Sequence, residues 1–76
     1  MTANAILIDA RGHRCPVPTL RLRRALEGAP VGAHIRLLAD DPLARIDVPH
    51  LARQIGAEVL ELLADGVELS FLVVQR

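Results

Sequence analysis

Apolar residues change their spacing along the first half of this chain, and each change marks a new element. Ile6-Leu7-Ile8 is a short run of β-forming residues, which predicts a first strand that ends at Asp9. From Pro16 to about Glu27 the apolar residues recur three and four apart, which predicts a helix with one apolar side. Gly28 and Pro30 supply its stop signals. The apolar side carries Leu22, Ala25, Leu26 and Ala29.

The next stretch predicts a second strand and a second helix. Apolar and polar residues alternate from Ala33 to Asp40, which is typical of a strand with one buried face. Helical spacing then returns, with Asp47 as the predicted N-cap, Pro49 in the first turn and Gly56 at the end. The apolar residues of this helix are Val48, Leu51, Ala52 and Ile55.

The end of the chain predicts a β-hairpin. Asp65-Gly66 is the preferred dipeptide of a two-residue type I′ turn, and folding about it gives one face that is wholly apolar. We expect this face to lie against the core. It pairs Ala64 with Val67, Leu62 with Leu69 and Leu60 with Phe71. The other face pairs Leu63 with Glu68, Glu61 with Ser70 and Val59 with Leu72.

The predicted order β-α-β-α-β-β favours an α/β (α+β) fold, with a four-stranded mixed sheet and both helices on one face. The 76 residues, 51% of them hydrophobic, suit a single domain over residues 1–76. The uncovered sheet face is then more apolar than a free surface requires, so it is either a contact surface or ordinary edge packing. Its apolar residues are Leu38, Val59, Leu63, Leu72 and Val74.

Composition and net charge argue against two classes of function, nucleic-acid binding and residence in a membrane. The formal net charge is zero and Phe71 is the only aromatic residue, so a nucleic-acid interface built on stacked aromatic rings is not expected. The apolar stretches are too short to span a membrane, and residues 1–4 hold no basic residue ahead of the first strand, so a signal peptide is not expected. A lone cysteine fits a reducing compartment, and the expected location is the cytoplasm.

Five arginines cluster between Ala10 and Leu26, where no acidic residue occurs. Such segregation is typical of a face that docks an acidic partner. A solvated helix face has the same composition, so both interpretations stay open. The five are Arg11, Arg14, Arg21, Arg23 and Arg24.

Cys15 lies in the run Asp9-Ala10-Arg11-Gly12-His13-Arg14-Cys15-Pro16-Val17-Pro18. Proline suits the first turn of a helix, so a helix that begins at Pro16 makes Cys15 its N-cap. The positive end of the helix dipole would then favour the thiolate. Pro16 and Pro18 have no N–H, which leaves the Val17 N–H as the expected partner of the sulfur. Both prolines either present the sulfur rigidly or serve structure alone.

The residues before Cys15 suggest supporting roles. We expect Asp9 to accept backbone N–H groups at the strand end, and Arg11 to pair locally or to stabilise an anionic sulfur. Gly12 provides a flexible turn. His13 puts a titratable group two residues from the sulfur, but residues two apart often face away from each other, so a Cys–His catalytic pair is not favoured. The histidines His13, His34 and His50 do not match zinc-site spacing, and we expect no metal and no cofactor.

The run Asp9-Ala10-Arg11-Gly12-x-x-Cys15-Pro16-x-Pro18 resembles the TusA/SirA-like sulfur carrier family. Asp41-Pro42, Asp47-x-Pro49 and Gly56 also resemble the family pattern, and the resemblance covers nearly the whole chain. Two positions depart from it. His13 replaces the usual apolar residue, and Ala57 stands where many members have histidine.

The resemblance implies a two-layer α/β sandwich that carries sulfur as a persulfide on Cys15. A cysteine desulfurase or rhodanese-like donor would load it and an acceptor protein would unload it, for tRNA thiolation, cofactor biosynthesis or sulfur oxidation. The protein would be a covalent carrier with sulfurtransferase-type activity. Arg14, Arg21 and Arg24 lie near the start of the first helix, and we expect them to dock the partners.

Two other function classes compete with this reading. The first is a non-catalytic binding or regulatory module that docks RNA or an acidic protein through its Arg-rich first helix. The second is a thiol redox protein, which would need an external thiol because the chain has no second cysteine.

Overall fold

The computed structural model describes residues 5–76, and the expectation for residues 1–4 lies outside that range. The element order β-α-β-α-β-β is confirmed. No helix in the described part of the chain is long and apolar enough to cross a membrane. The elements are β1 (Ile6–Asp9), α1 (Val17–Glu27), β2 (His34–Ala39), α2 (Ala44–Ile55), β3 (Glu58–Asp65) and β4 (Glu68–Val74).

The four strands form one mixed sheet in the order β1-β2-β4-β3. β1 runs parallel to β2, with Ile8 opposite Leu37, and β4 runs antiparallel to both β2 and β3. Both helices cover one face, as predicted, because the alternating apolar residues of β2 and β4 meet the apolar sides of α1 and α2. The largest fully buried side chains are Phe71, Leu22, Leu26, Ile35, Leu37, Val48, Val73 and Pro18.

The second helix begins at Ala44, earlier than predicted, and Asp47 is not its N-cap. Asp41 starts the turn instead, because its Oδ1 accepts the Leu43 N–H at 2.9 Å and its carbonyl accepts the Ala44 N–H at 3.0 Å. Asp47 therefore lies in the first turn and Pro49 inside the helix. The predicted end is confirmed: Gly56 has φ 76°, a left-handed conformation that glycine adopts without strain.

The predicted register of the hairpin is wrong. Gly66 and Val67 form the turn, with Asp65 opposite Glu68, and Leu62 faces Phe71 rather than Leu69. Gly66 has φ 62° and is the only turn residue with positive φ. Positive φ at the first turn residue alone is the type II′ pattern, so glycine takes the one position that needs it and Asp65 stays in the strand.

The register change alters which residues of β3 are buried. A bulge between Val59 and Glu61 turns Val59 toward the core, not toward the uncovered face as predicted. Leu60 and Leu62, predicted in the core, are 44% and 38% exposed. β3 is an edge strand, and its half next to the turn, residues 62–65, is exposed throughout.

The uncovered sheet face has a polar centre. Arg36 Nη1 donates to Glu61 Oε1 at 3.0 Å and to Ser70 Oγ at 2.9 Å. Leu38 and Leu72 beside it are half-buried. Of the other apolar residues predicted here, Val74 is buried and Leu63 is 53% exposed.

Candidate functional site around Cys15

Two loops meet at one edge of the sheet and form the site. The parallel strands β1 and β2 are neighbours, so their carboxyl ends lie side by side. The loop of residues 10–16 leaves β1 and the loop of residues 40–43 leaves β2. The Ala10 N–H donates to the Leu38 carbonyl at 2.8 Å, which joins the first loop to β2 where it starts.

Two consecutive carboxylates of the second loop bind the backbone of the first. The Gly12 N–H donates to Asp40 Oδ1 and Oδ2 at 3.0 and 2.9 Å. The Cys15 N–H donates to Asp41 Oδ2 at 2.9 Å. Hydrogen bonds from the Leu43 and Cys15 N–H groups lower the pKa of Asp41, so this carboxyl stays ionised. Gly12 has φ 84°, which suits a residue without Cβ.

Asp40 and Asp41 were not predicted as site residues, although the sequence held a signal. The pair follows the predicted second strand, and two strands joined through a helix usually run parallel, which brings their carboxyl ends to the same end of a sheet.

Cys15 is half-buried in the wall of an open groove of about 610 Å³. The groove gives a second molecule access to the sulfur from outside. Its other lining residues are Gly12, His13, Arg14, Asp40, Asp41, Pro42 and Leu43.

Cys15 is not the N-cap of α1, contrary to the prediction. The helix begins at Val17 and Pro16 occupies the N-cap position, with no side-chain cap. The Val17 N–H donates to the Arg14 carbonyl at 2.9 Å, so it does not bind the sulfur. The sulfur instead lies 3.8 Å from Thr19 Oγ1, one helical turn onward. Pro16 is exposed, whereas Pro18 is buried in the core.

The expected bias of Cys15 toward thiolate is also wrong. Burial raises the pKa of Cys15, and the Thr19 hydroxyl lowers it only in part. The carboxylates of Asp41 and Asp47 raise this pKa further by their negative charge. Pro16 and Pro18 have no N–H, and the N–H groups of Cys15 and Val17 are directed to Asp41 and to the Arg14 carbonyl, so no backbone N–H of residues 15–18 donates to the sulfur. The resting thiol is therefore protonated at neutral pH.

Asp9 and Arg11 bind each other at the end of β1. Arg11 donates from Nε and Nη2 to the two carboxylate oxygens of Asp9 at 2.9 Å, and the Arg11 N–H donates to Oδ1 at 3.2 Å. These bonds lower the pKa of Asp9 to about 2. Arg11 also lies 3.6 Å from Glu68. The pair thus shapes the loop, and in residues 5–76 neither side chain hydrogen bonds to the sulfur.

The remaining candidates lie around the groove and along α1. His13 and Arg14 are exposed on the groove wall, and within the described residues the His13 ring makes no hydrogen bond to Cys15. Arg21 Nη1 donates to the Asp9 carbonyl at 2.9 Å, whereas Arg24 is exposed on α1. Across residues 5–76 no group of three or more His, Cys, Asp or Glu side chains is placed to hold a metal ion.

Known proteins resemble this chain over nearly its whole length. A model of the family described as "Sulfurtransferase TusA" matches residues 6–75. A putative sulfur carrier protein of Archaeoglobus fulgidus is 46% identical over 68 residues, which span 87% of each chain. Sulfur carrier protein TusA of Allochromatium vinosum is 33% identical over 66 residues, again 87% of each. The crystal structure of a SirA-like protein from Desulfitobacterium hafniense superposes with a TM-score of 0.79 at 31% identity, covering 91% of this chain and 95% of that one.

Proposed function

Because this chain belongs to the sulfurtransferase TusA family, we propose that it is a sulfur carrier that holds sulfane sulfur as a persulfide on Cys15. One observation supports Cys15 as the residue that holds the sulfur. Cys15 is the only cysteine of the chain, and it lies in the wall of an open groove where the loops after β1 and β2 meet. A partner can therefore bring a second sulfur to it, and no other thiol of the chain can close a disulfide with it.

The loading step exchanges one sulfur–sulfur bond for another. The Cys15 sulfur attacks the outer sulfur of a persulfide on the donor, a new bond forms to that sulfur, and the donor's own sulfur–sulfur bond breaks. The electron pair of the broken bond leaves on the donor cysteine, which takes up the proton that the Cys15 thiol gives away. The acceptor repeats the exchange with Cys15 as the leaving group, so no net oxidation or reduction occurs.

The donor in this proposal is a cysteine desulfurase or a rhodanese-like protein, and the acceptor is a protein of tRNA thiolation, cofactor biosynthesis or sulfur oxidation. Arg14 lines the groove beside the sulfur and favours an acidic partner surface. Arg24 lies in the last turn of α1 and is exposed, so a partner that covers the length of this helix would also contact it. Arg21 is less suited to this role because it already binds the Asp9 carbonyl. A free thiol that must stay reduced fits the cytoplasm.

Intact-mass measurement without reductant tests the proposal. After incubation with a cysteine desulfurase and cysteine, the protein should gain the mass of one sulfur atom, and dithiothreitol should remove it. Cys15→Ser is the control and should stay unmodified. We expect it to fold with a loss of about 1 kcal/mol or less, because a half-buried side chain changes by one atom. The absence of added sulfur with several desulfurases and a rhodanese donor contradicts the proposal.

A further inference from the structure

The sulfur of Cys15 has few hydrogen-bond donors around it. Its own N–H is directed to Asp41, and the Val17 N–H is directed to the Arg14 carbonyl. Pro16 has no N–H to offer. Residues 15–18 therefore give the sulfur none of the backbone N–H groups that usually stabilise an anion at a helix N-terminus.

Thr19 supplies the missing donor. It lies in the first turn of α1, and its Oγ1 is 3.8 Å from the Cys15 Sγ. Within residues 5–76 this is the only side-chain hydrogen bond that Thr19 makes. Its hydroxyl is not bound to a backbone carbonyl of the preceding turn, which is the usual partner of a helical threonine.

We propose that Thr19 is a further catalytic residue of the carrier, whose hydroxyl donates a hydrogen bond to the Cys15 sulfur whenever that sulfur is anionic. Either atom can donate while the sulfur is protonated. A thiolate has no proton to donate, so only the Thr19 hydroxyl can then be the donor. The same holds for the Cys15 sulfur that is released after unloading. A hydrogen bond to a charged group is stronger than one between neutral groups.

This role rests on the proposed function, because Cys15 attacks the donor persulfide as an anion and is released as an anion when the acceptor takes the outer sulfur. Thr19 is half-buried between that sulfur and a smaller groove of about 230 Å³ that runs between α1 and α2. The charged groups facing Cys15 are Asp41 from the β2–α2 loop and Asp47 from α2, with Arg14 beside Asp41. Both carboxylates destabilise an anionic Cys15 sulfur by charge repulsion. A hydrogen bond from the neutral Thr19 hydroxyl offsets part of this destabilisation.

Titration of Cys15 in Thr19 variants tests the role without any sulfur donor. The chain has no Trp and no Tyr, so the ultraviolet absorbance of the thiolate stands on a low background. Thr19→Val keeps the side-chain shape and removes the hydroxyl. We expect it to raise the midpoint of the thiol titration and to slow alkylation of Cys15 below that midpoint by roughly three- to tenfold. Thr19→Ser keeps the hydroxyl and should titrate close to the parent.

A folded Thr19→Val protein that titrates like the parent overturns the proposal, and so does an equal shift in Thr19→Ser. Thermal unfolding of each variant shows whether the fold is intact, and Thr19→Ala replaces the valine variant if that one does not fold. The desulfurase assay is then run on the same proteins. Failure to load sulfur in every one of them, parent included, contradicts the proposed function and leaves the titration result standing.

Discussion

Asp41 Oδ2 accepts a hydrogen bond of 2.9 Å from the Cys15 N–H, which lies 26 residues earlier in the chain. The other oxygen of the same carboxylate accepts the Leu43 N–H that starts the turn into α2. One side chain therefore sets the position of the cysteine backbone and the beginning of a helix.

Replacing Asp41 should weaken both features together. We expect Asp41→Ala to lower the urea concentration at the midpoint of unfolding, because two backbone N–H groups lose their acceptor. Asp65→Ala is the matched control: Asp65 lies opposite another acid, Glu68, at the hairpin turn, so its removal should not destabilise the protein. Equal losses in the two variants would show that the Asp41 bonds add no stability.

The Asp41 carboxylate also makes the stability of the fold depend on pH. Folding lowers the pKa of Asp41, and it lowers the pKa of Asp9 from 3.8 to about 2. A lowered pKa means that the unfolded chain binds protons first, so the stability from these groups is complete above their ordinary values and is lost as pH falls through the folded ones. We expect the urea concentration at the midpoint of unfolding to decrease as the pH is lowered from about 4 to about 2. In Asp41→Asn the fall should be shallower, and an identical slope in the two proteins would contradict this.

Asp47→Asn should make the cysteine more reactive. The negative charge of Asp47 helps to raise the pKa of Cys15, so its removal lowers that pKa and increases the thiolate fraction at neutral pH. The rate of alkylation by iodoacetamide, measured from pH 6 to pH 10, should therefore rise at the lower end of this range. Asp65→Asn removes an equal charge from the exposed hairpin turn and serves as the control. An unchanged rate profile in Asp47→Asn would rule out this effect.

Arg24→Glu should slow sulfur transfer through weaker association with an acidic partner. Arg24 is exposed near the end of α1, and its replacement should spare the fold and the alkylation rate of Cys15. Salt should slow the parent in the same direction, because exposed charges are screened beyond about 8 Å at physiological ionic strength. Arg53→Glu, in the last turn of α2, is the control for net charge. If both variants transfer sulfur equally fast at low salt, Arg24 belongs to a solvated helix face.

The spacing of apolar residues was enough to predict the order of elements and most of the core. Leu22 and Leu26 lie four apart, as on one side of a helix, and Ile35 and Leu37 lie two apart, as on one face of a strand. The hairpin register was not predictable from Asp65-Gly66 alone. Two neighbouring turn positions fit that dipeptide, and the bulge near Leu60 removes the alternation that would choose between them.

The identity of the reactive residue could be predicted from the sequence, but its protonation state could not. A helix N-terminus in the sequence suggested a thiolate, whereas the pKa of Cys15 is raised first by burial and then by Asp41 and Asp47, which only the folded chain brings near it. Thr19 was overlooked for the same kind of reason. Its spacing from Cys15 was visible, but the direction of the Cys15 and Val17 N–H groups, both turned away from the sulfur, was not.

The bulge in β3 has a consequence for association between copies of the chain. An edge strand offers unpaired N–H and C=O groups to any other strand, and β3 has eight residues. Between Val59 and Glu61 its regular spacing is broken, so an incoming strand cannot match it along its full length. A second β3 would also add the acidic residues Glu58, Glu61 and Asp65 of one strand to those of the other, and like charges on paired strands are destabilising. The bulge and the acidic residues therefore disfavour pairing of β3, the longer edge strand of the sheet, with a strand of another copy.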